Sequence, residues 1–364
     1  MARIELQNIF HTYDPSTVPE EQRQYAVSGL DITFSDGSAN ALLGPSGCGK
    51  TTILNIISGL LQPSKGRVLA GNSNVTALAP RERHIAQVFQ FPVIYDSMNV
   101  YDNMAFPLRN QKMPEPEVNR KVLEIAEILE LTDILKAPST SLNAADKQKI
   151  SLGRSIVRQD TMAVLLDEPL TVIDPKLKGN LRRKLREVQA QLKKTMIYVT
   201  HDQHEALTFA DNVAIVKDGR LIQQGTPKEL HAQPATPFIG YFIGSPGMNL
   251  LECELKDHKL RFADFQIRVT EKIKKRLNSY GNRFQLGIRP ESIVVSAAPE
   301  GQDVDFRVSV IENTGAYKVV TCEKRSTRIK ARVPEDVQVK EGGTIWAAFP
   351  EDKVNIFYNE QRII

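Results

Sequence analysis

Apolar positions along the N-terminal part of the chain fall into short buried runs separated by helical patterning, and the C-terminal part holds short alternating runs. Arg3 to Phe10 alternates, with Ile4, Leu6 and Ile9 apolar, and predicts an opening strand. Asp14 to Gln24 is polar and carries Pro15 and Pro19, so it predicts a loop. Leu30 to Phe34 alternates as a second strand, closed by the turn signal Ser35-Asp36-Gly37. Ala39 to Leu43 is short and apolar enough for a buried strand, and Ile53, Ile56, Ile57 and Leu60 recur at helical spacing over Ile53 to Leu61. Arg67 to Gly71 predicts a short strand, and Ile85 to Gln90 a strand ending in glutamine. From Phe91 to about Ser155 the pattern turns helical. Val118, Val122, Ile125 and Leu129 share one face there, and Pro92, Pro107, Pro114 and Pro116 cut the stretch into short helices and loops. Met162 to Leu166 is a continuous apolar run of the kind found in parallel sheets. Leu181 to Leu192 reads as a basic amphipathic helix, and Thr195 to Thr200 and Val213 to Val216 as further buried strands.

Strands alternating with helices predict an α/β domain. The pattern shifts around Gln233 to Pro237. Beyond it helical periodicity is scarce, and runs such as Phe284 to Ile288 and Phe306 to Val310 predict a small β-barrel-like second domain. The expected division is 1–235 and 236–364, with a helical subdomain at about 91–155.

The predicted strand Ala39 to Leu43 and the helix after it flank Gly44-Pro45-Ser46-Gly47-Cys48-Gly49-Lys50-Thr51-Thr52. Strand, glycine loop and helix in this order make a P-loop. Its backbone N–H groups wrap phosphate oxygens, and the helix N-terminus adds its positive dipole end. Lys50 is expected on the β- and γ-phosphates and Thr51 on Mg²⁺. Gly44, Pro45, Ser46, Gly47, Cys48, Gly49, Lys50, Thr51 and Thr52 thus form the expected nucleotide-binding segment. Cys48 stands either as an activated thiolate at a helix N-terminus or as an inert small residue of the loop.

Asp167 and Glu168 follow a buried strand, at the sheet edge where α/β proteins bind ligands. Asp167 suits Mg²⁺, which prefers oxygen ligands, and Glu168 suits a base for attack on the γ-phosphate. His201 follows the strand ending at Thr200, where an imidazole would orient the attacking water. The amide of Gln90 would touch Mg²⁺ or that water. The remaining histidines, His11, His84, His204, His231 and His258, receive no role.

With 364 residues and 41% hydrophobic positions the chain is long enough for two cored domains. Forty-seven basic against 43 acidic residues leave a net charge of +4, which gives no footprint for nucleic acid. Cys48, Cys253 and Cys322 form neither metal spacing nor a disulfide framework and fit a reducing compartment. The start of the chain lacks the apolar run of a signal peptide, and no apolar stretch approaches the ~20 residues that span a bilayer.

Taken together, the P-loop, Gln90, Asp167-Glu168, Ile173-Asp174 and Thr200-His201-Asp202 resemble the successive motifs of ABC-transporter ATPase subunits. Gly244 to Asn249 through Gly287 to Glu291 resembles the C-terminal regulatory domain, of OB type, of maltose-importer ATPases. Ala86 to Asp96 and Phe238 to Ser245 are similar to one ATPase subunit of bacterial glycerol ABC importers. The resemblance implies an ATPase that binds ATP and Mg²⁺, with Glu168 and His201 catalytic and Asp174 among the nucleotide contacts. Tyr13 would stack on adenine, with Tyr25 as its rival. Phe91 to Met104 would grip a transmembrane permease subunit, and a periplasmic solute-binding protein would complete the system. The chain would sit peripherally on the cytoplasmic face of a bacterial inner membrane.

One motif departs from the family. Where Leu-Ser-Gly-Gly-Gln is expected, the chain reads Leu142-Asn143-Ala144-Ala145-Asp146, and Lys147 to Arg154 keeps the register. In the family these residues contact the γ-phosphate held by the opposite subunit. The departure favours pairing with a second, different ATPase over a homodimer. It also leaves an alternative, a subunit that holds ATP structurally while its partner hydrolyses.

Overall fold

The computed structural model describes residues 2–15, 17–158, 160–299 and 303–364. Ser16, in the expected loop, and Met1 lie outside them. The chain divides into one compact unit ending at Pro227 and a second from Lys228 to Ile364.

The first unit opens with β1 (Ile4–Thr12), β2 (Tyr25–Phe34), β3 (Ala39–Leu43), α1 (Lys50–Ser58), β4 (Lys65–Ala70), β5 (Ser73–Asn74) and β6 (Ile85–Val88). The helical stretch follows as α2 (Val100–Asn110), α3 (Glu115–Ile128) and α4 (Ala144–Ile156). The chain then alternates through β7 (Ala163–Asp167), α5 (Pro175–Leu192), β8 (Thr195–Thr200) and α6 (Gln203–Phe209), and ends the unit on the hairpin β9 (Asn212–Lys217) and β10 (Arg220–Gly225).

Six of these strands form a sheet in the order β10-β9-β3-β8-β7-β6, parallel everywhere except the β9–β10 hairpin. Every residue of β3 and β8 is buried, which is why their sequences are unbroken rather than alternating. The other sheet, β2-β1-β4-β5, is antiparallel. Ile53, Leu54, Ile56 and Ile57 of α1 share one core with residues of both sheets, among them Leu42, Leu165, Val199, Ile4 and Phe34. At about 1.5–3 kcal/mol for each buried aliphatic side chain, this holds α1 firmly beneath the loop that precedes it.

The elements differ from the sequence reading mainly at their ends. β2 begins at Tyr25 rather than Leu30, because pairing with β1 carries it past the alternating run. α1 begins at Lys50 and stops at Ser58, where Gly59 turns left-handed at φ +85°. Leu60 therefore lies beyond the helix and is 55% exposed. A Cβ on Gly59 would meet Nε of Arg83 at 2.5 Å. That guanidinium, fully buried, donates to the carbonyls of Ile56 (2.6 Å), Ile57 (3.0 Å), Thr76 (2.7 Å) and Leu78 (3.0 Å). It satisfies carbonyls that α1 leaves open at its end, and it places a cation at the negative end of the helix dipole.

The second unit holds α7 (Pro227–Ala232) apart from its first residue, then α8 (Pro237–Phe242), β11 (Asn249–Lys256), β12 (Lys259–Arg261), β13 (Gln266–Arg268), α9 (Glu271–Leu277), β14 (Arg283–Ile288) and β15 (Val294–Ser296). It continues with β16 (Val304–Asn313), β17 (Tyr317–Lys324), β18 (Thr327–Pro334), β19 (Thr344–Ala348), β20 (Val354–Tyr358) and β21 (Gln361–Arg362). Two antiparallel sheets, β13-β12-β11-β14-β20-β21 and β15-β19-β16-β17-β18, enclose one core that includes Leu286, Phe306, Val320 and Ile356. The expected β-rich domain is present. The helices α8 and α9 interrupt a region whose periodicity suggested none, since helices this short complete barely two turns of pattern. Arg289 is buried and donates to the carbonyls of His231 (2.8 Å), Gly240 (2.8 Å) and Ile243. His231 in turn lies 3.2 Å from Glu291, which gives a partner to a histidine whose sequence suggested no role.

Candidate functional site

Register brings the chemical residues to one edge. Leu43 pairs with Thr200, and Asp167 with Val199, so the chain leaves β3, β7 and β8 side by side. The exits carry the glycine loop, Glu168 and His201.

In the loop, Gly49 takes φ +98°, and a Cβ there would lie 2.4 Å from the carbonyl oxygen of Ala26. Only glycine lets the loop lie this close to β2. Lys50 opens α1, and its ammonium turns back to donate to the carbonyls of Gly44 and Pro45, both at 2.8 Å. It is 6% exposed. Ser46, Gly47 and Thr51 are exposed at the mouth of the loop, and Thr52 is buried behind it. Cys48 is 5% exposed, and burial pushes its thiol up from the ordinary value, against the pull of Lys50. Of the two readings of Cys48, burial favours the small loop residue with a protonated thiol over the activated thiolate, because desolvation outweighs the pull of the nearby ammonium.

Burial, then the charge of Glu168, raises the carboxyl of Asp167 above its usual range, and Lys50 pulls it back. Among the described residues no group of three or more His, Cys, Asp or Glu could hold a metal. The hydroxyl of Thr51 and the carboxylate of Asp167 are an oxygen-only, incomplete set. Such a set suits Mg²⁺ arriving with phosphates and keeping several waters, rather than a resident ion.

Glu168 sits in the left-handed region at φ +43°, its N–H bonded to the carbonyl of Val199 at 3.0 Å. One carboxylate oxygen lies 3.0 Å from Nδ1 of His201, and the other accepts from the Thr171 hydroxyl at 3.2 Å. His201 is gripped on both sides. Asp202 caps α6, accepting from the N–H of His204 at 2.7 Å, and its own N–H donates to the Thr200 hydroxyl at 3.0 Å. The buried Glu205 accepts from the hydroxyls of Thr200 (2.8 Å) and Tyr198 (3.1 Å), which pins α6 to β8. Sequence reasoning missed Thr171 and Glu205. The spacing Asp202-Gln203-His204-Glu205, acidic cap to acidic third residue, was the available signal for a helix starting there.

Tyr13 is 67% exposed, and its hydroxyl lies 3.0 Å from that of Thr52 in the first turn of α1. Tyr25 packs edge-on against Phe10 instead, at 5.7 Å between ring centres. β6 ends at Val88, so Gln90 lies past the strand rather than closing it, and is partly exposed. The buried Gln148 of α4 donates to the carbonyl of the adjacent Phe89 at 3.3 Å. Asp174 caps α5, accepting from the N–H of Lys176 at 2.8 Å.

The divergent segment is a helix start. Asn143 caps α4: its side-chain oxygen accepts from the N–H of Asp146 at 2.9 Å, and its amide donates to the Asp146 carboxylate at 2.7 Å. The N-terminus of α4 is thus capped by one side chain, which also holds the Asp146 carboxylate.

The ABC transporter family matches residues 27–171, the MalK OB fold domain residues 244–293 and the TOBE domain residues 286–357. The oligosaccharides import ATP-binding protein MsmX of Bacillus subtilis is 34% identical over 370 residues, which cover 100% of this chain and 99% of that protein. The trehalose/maltose import ATP-binding protein MalK of Thermococcus litoralis is 37% identical over 347 residues, 91% of this chain and 93% of that one. The sn-glycerol-3-phosphate import ATP-binding protein UgpC of Rhodopseudomonas palustris is 37% identical over 345 residues, 94% and 88% of the two chains. Among solved structures, cbiO1 of Clostridium perfringens, part of an ABC transporter complex, matches with a TM-score of 0.57 at 27% identity, over 62% of this chain and 89% of that one. A dimeric ATP-binding cassette in a post-hydrolysis state, bound to ADP and phosphate, matches with a TM-score of 0.53 at 26% identity, over 61% and 98%. The chain therefore belongs to the ABC-transporter ATPases, as an ATP-binding subunit whose cassette is followed by MalK-type OB and TOBE domains.

Proposed function

We propose that this chain hydrolyses ATP, with Mg²⁺, to energise import of a small polyol or sugar, glycerol being favoured. The observation that carries the reading is the bonded pair Glu168–His201 at the sheet edge that also holds the glycine loop. Lys50 leaves the carbonyls of Gly44 and Pro45 and donates to the β- and γ-phosphates as the nucleotide enters. The loop N–H groups and the N-terminus of α1 receive the remaining phosphate charge. Thr51 and Asp167, with Gln90 beside them, would hold Mg²⁺, which would supply neutralisation of phosphate charge. Glu168 takes the proton from the attacking water, and His201, held beside it, turns a ring N–H to the γ-phosphate. Tyr13, tied to the first turn of α1, stacks on adenine, and Asp174 borders the nucleotide at the start of α5. The single experiment is Glu168→Gln in the assembled transporter, where near-native hydrolysis sinks the assignment.

The cassette is assigned to 1–235 and the regulatory domain to 236–364. Among the described residues no helix is long and apolar enough to cross a membrane, so permease subunits supply the passage. The chain works on the cytoplasmic face of a bacterial inner membrane, fed by a periplasmic solute-binding protein. Relatives named for oligosaccharides, trehalose/maltose and sn-glycerol-3-phosphate support the solute class. The stretches 86–96 and 238–245 favour glycerol within it.

The self-capped start of α4 supports a heterodimer with a second ATPase that supplies an ordinary signature segment. A chain that merely holds ATP for a hydrolysing partner is the second reading. The intact pair Glu168–His201 weighs against it.

A further inference from the structure

The second unit contains a cleft of about 620 Å³, within the ~300–1,000 Å³ of small-molecule sites. Its walls are α9, the turn at Glu351 and Asp352, and the segment from Arg362 to Ile364, whose terminal carboxyl group adds to the two side-chain carboxylates of the lining. Lys272 and Arg276 stand one turn apart on α9, both exposed, and neither makes an ion pair among the described residues. Arg362 lines the cleft, donates to the side-chain oxygen of Gln233 at 3.4 Å and makes no ion pair among the described residues. The two carboxylates of the lining are engaged otherwise. Glu351 accepts from the N–H of Thr270 at 2.7 Å, and Asp352 pairs with the neighbouring Lys353 at 3.2 Å. Ile273 and Ile363 supply an apolar floor.

We propose that this cleft binds a small hydroxylated organic anion, the chemistry shared by polyol phosphates and hydroxycarboxylates. Three cations without a carboxylate partner converge on one volume and suit an anionic head, with Arg276 and Arg362 able to bind it in a fork. The second oxygen of Glu351 and the carboxylate of Asp352 accept from hydroxyl groups, which a bare inorganic anion lacks. The isoleucines cover a short carbon skeleton. The site lies wholly in the second unit and rests on none of the groups assigned to ATP. Its ligand is therefore an effector and not the fuel.

The test uses the full chain with its P-loop filled by magnesium and a non-hydrolysable ATP analogue, so that phosphate cannot bind there. Calorimetric titrations are run with glycerol 3-phosphate, glycerate, inorganic phosphate and uncharged glycerol. Binding of glycerol 3-phosphate or glycerate at one per chain, with glycerol silent, is the expected result. Which of the two binds tighter tells whether the head is phosphoryl or carboxylate. Lys272→Ala and Arg276→Ala each weaken it about tenfold or more, as loss of a charge-assisted hydrogen bond requires. Both positions are exposed, and nucleotide affinity stays unchanged as the check on folding. Silence from both organic anions overturns the proposal. So does equal binding by glycerol, equal binding by inorganic phosphate, or indifference to both substitutions.

Discussion

His201 and Glu168 meet across the ends of β8 and β7, Nδ1 to Oε1 at 3.0 Å, with Thr171 holding the second carboxylate oxygen. The carboxylate is thus oriented from both sides before any substrate arrives. Its left-handed backbone, uncommon for a residue with a long side chain, costs on the order of 1–3 kcal/mol and is kept where geometry matters. Replacing Glu168 by Gln preserves shape and removes the carboxylate proposed as the base. Nucleotide binding should persist while hydrolysis falls by about 10²–10⁴-fold, read by single-turnover kinetics. Thr171→Val should lower turnover without weakening ATP binding, by up to about tenfold if it misaligns the carboxylate.

Lys50→Ala carries two consequences. The ATP contact disappears, so a fluorescent-nucleotide titration should show strongly weakened binding. The carbonyls of Gly44 and Pro45 also lose their buried donor. The nucleotide-free variant should therefore unfold more readily, by roughly 1–3 kcal/mol in urea. Unchanged urea stability would mean that the ammonium does not rest on those carbonyls.

Thiol chemistry should be slow. Burial raises the Cys48 thiol and pushes Cys253 and Cys322 up to about 12. A raised thiol holds less reactive thiolate at neutral pH, and the fraction grows only as pH climbs toward the shifted value. Maleimide should label the native chain slowly at pH 7, faster at pH 9, and fast at either pH in urea. Rapid native labelling of Cys48 at pH 7 would contradict its burial.

Arg83→Met tests the end of α1. It removes a fully buried guanidinium from four carbonyls, two of them in the helix that carries the loop. A loss of about 3 kcal/mol is expected, seen as a lower Tm. The cation is itself costly to bury, since desolvation lowers its pKa. A Tm unchanged within error would show that water satisfies those carbonyls instead.

The glycine loop, the acidic strand end and His201 were legible because each sits at a junction where an apolar run stops abruptly. A parallel strand buried on both faces leaves a mark that no surface pattern mimics. The tether from Gln148 to Phe89, the bond from Thr171 to Glu168 and the guanidinium of Arg83 were not legible. Each joins a side chain to a distant backbone or to a turn, and no periodicity records that. The role of Asn143 was half visible. Its type and place suggest a helix cap, yet the reciprocal bond that ties up the Asp146 carboxylate needs coordinates. The short helices α8 and α9 escaped because their length gives fewer than two turns of pattern to detect.

We infer that this chain's own signature segment does not complete an ATP site, and that its Lys50, Glu168 and His201 serve a site completed by another chain. By the resemblance to ABC cassettes, the start of α4 would face the γ-phosphate held by an opposite subunit. Here that start already carries the Asp146 carboxylate, held by Asn143. A second anion brought to it meets the charge of that carboxylate. The variant Asn143→Ser, Ala144→Gly, Ala145→Gly, Asp146→Gln keeps a serine cap with glutamine three residues on, a spacing that still starts a helix. The most direct measurement is steady-state ATP turnover by the purified chain alone, beside the same chain mixed with the different ATPase subunit proposed as its partner. The account predicts slow turnover alone, restoration by the partner, and a larger gain from the fourfold variant alone than in the mixture. Full turnover by the isolated wild-type chain, or a native transporter built on two copies of it, would contradict the account.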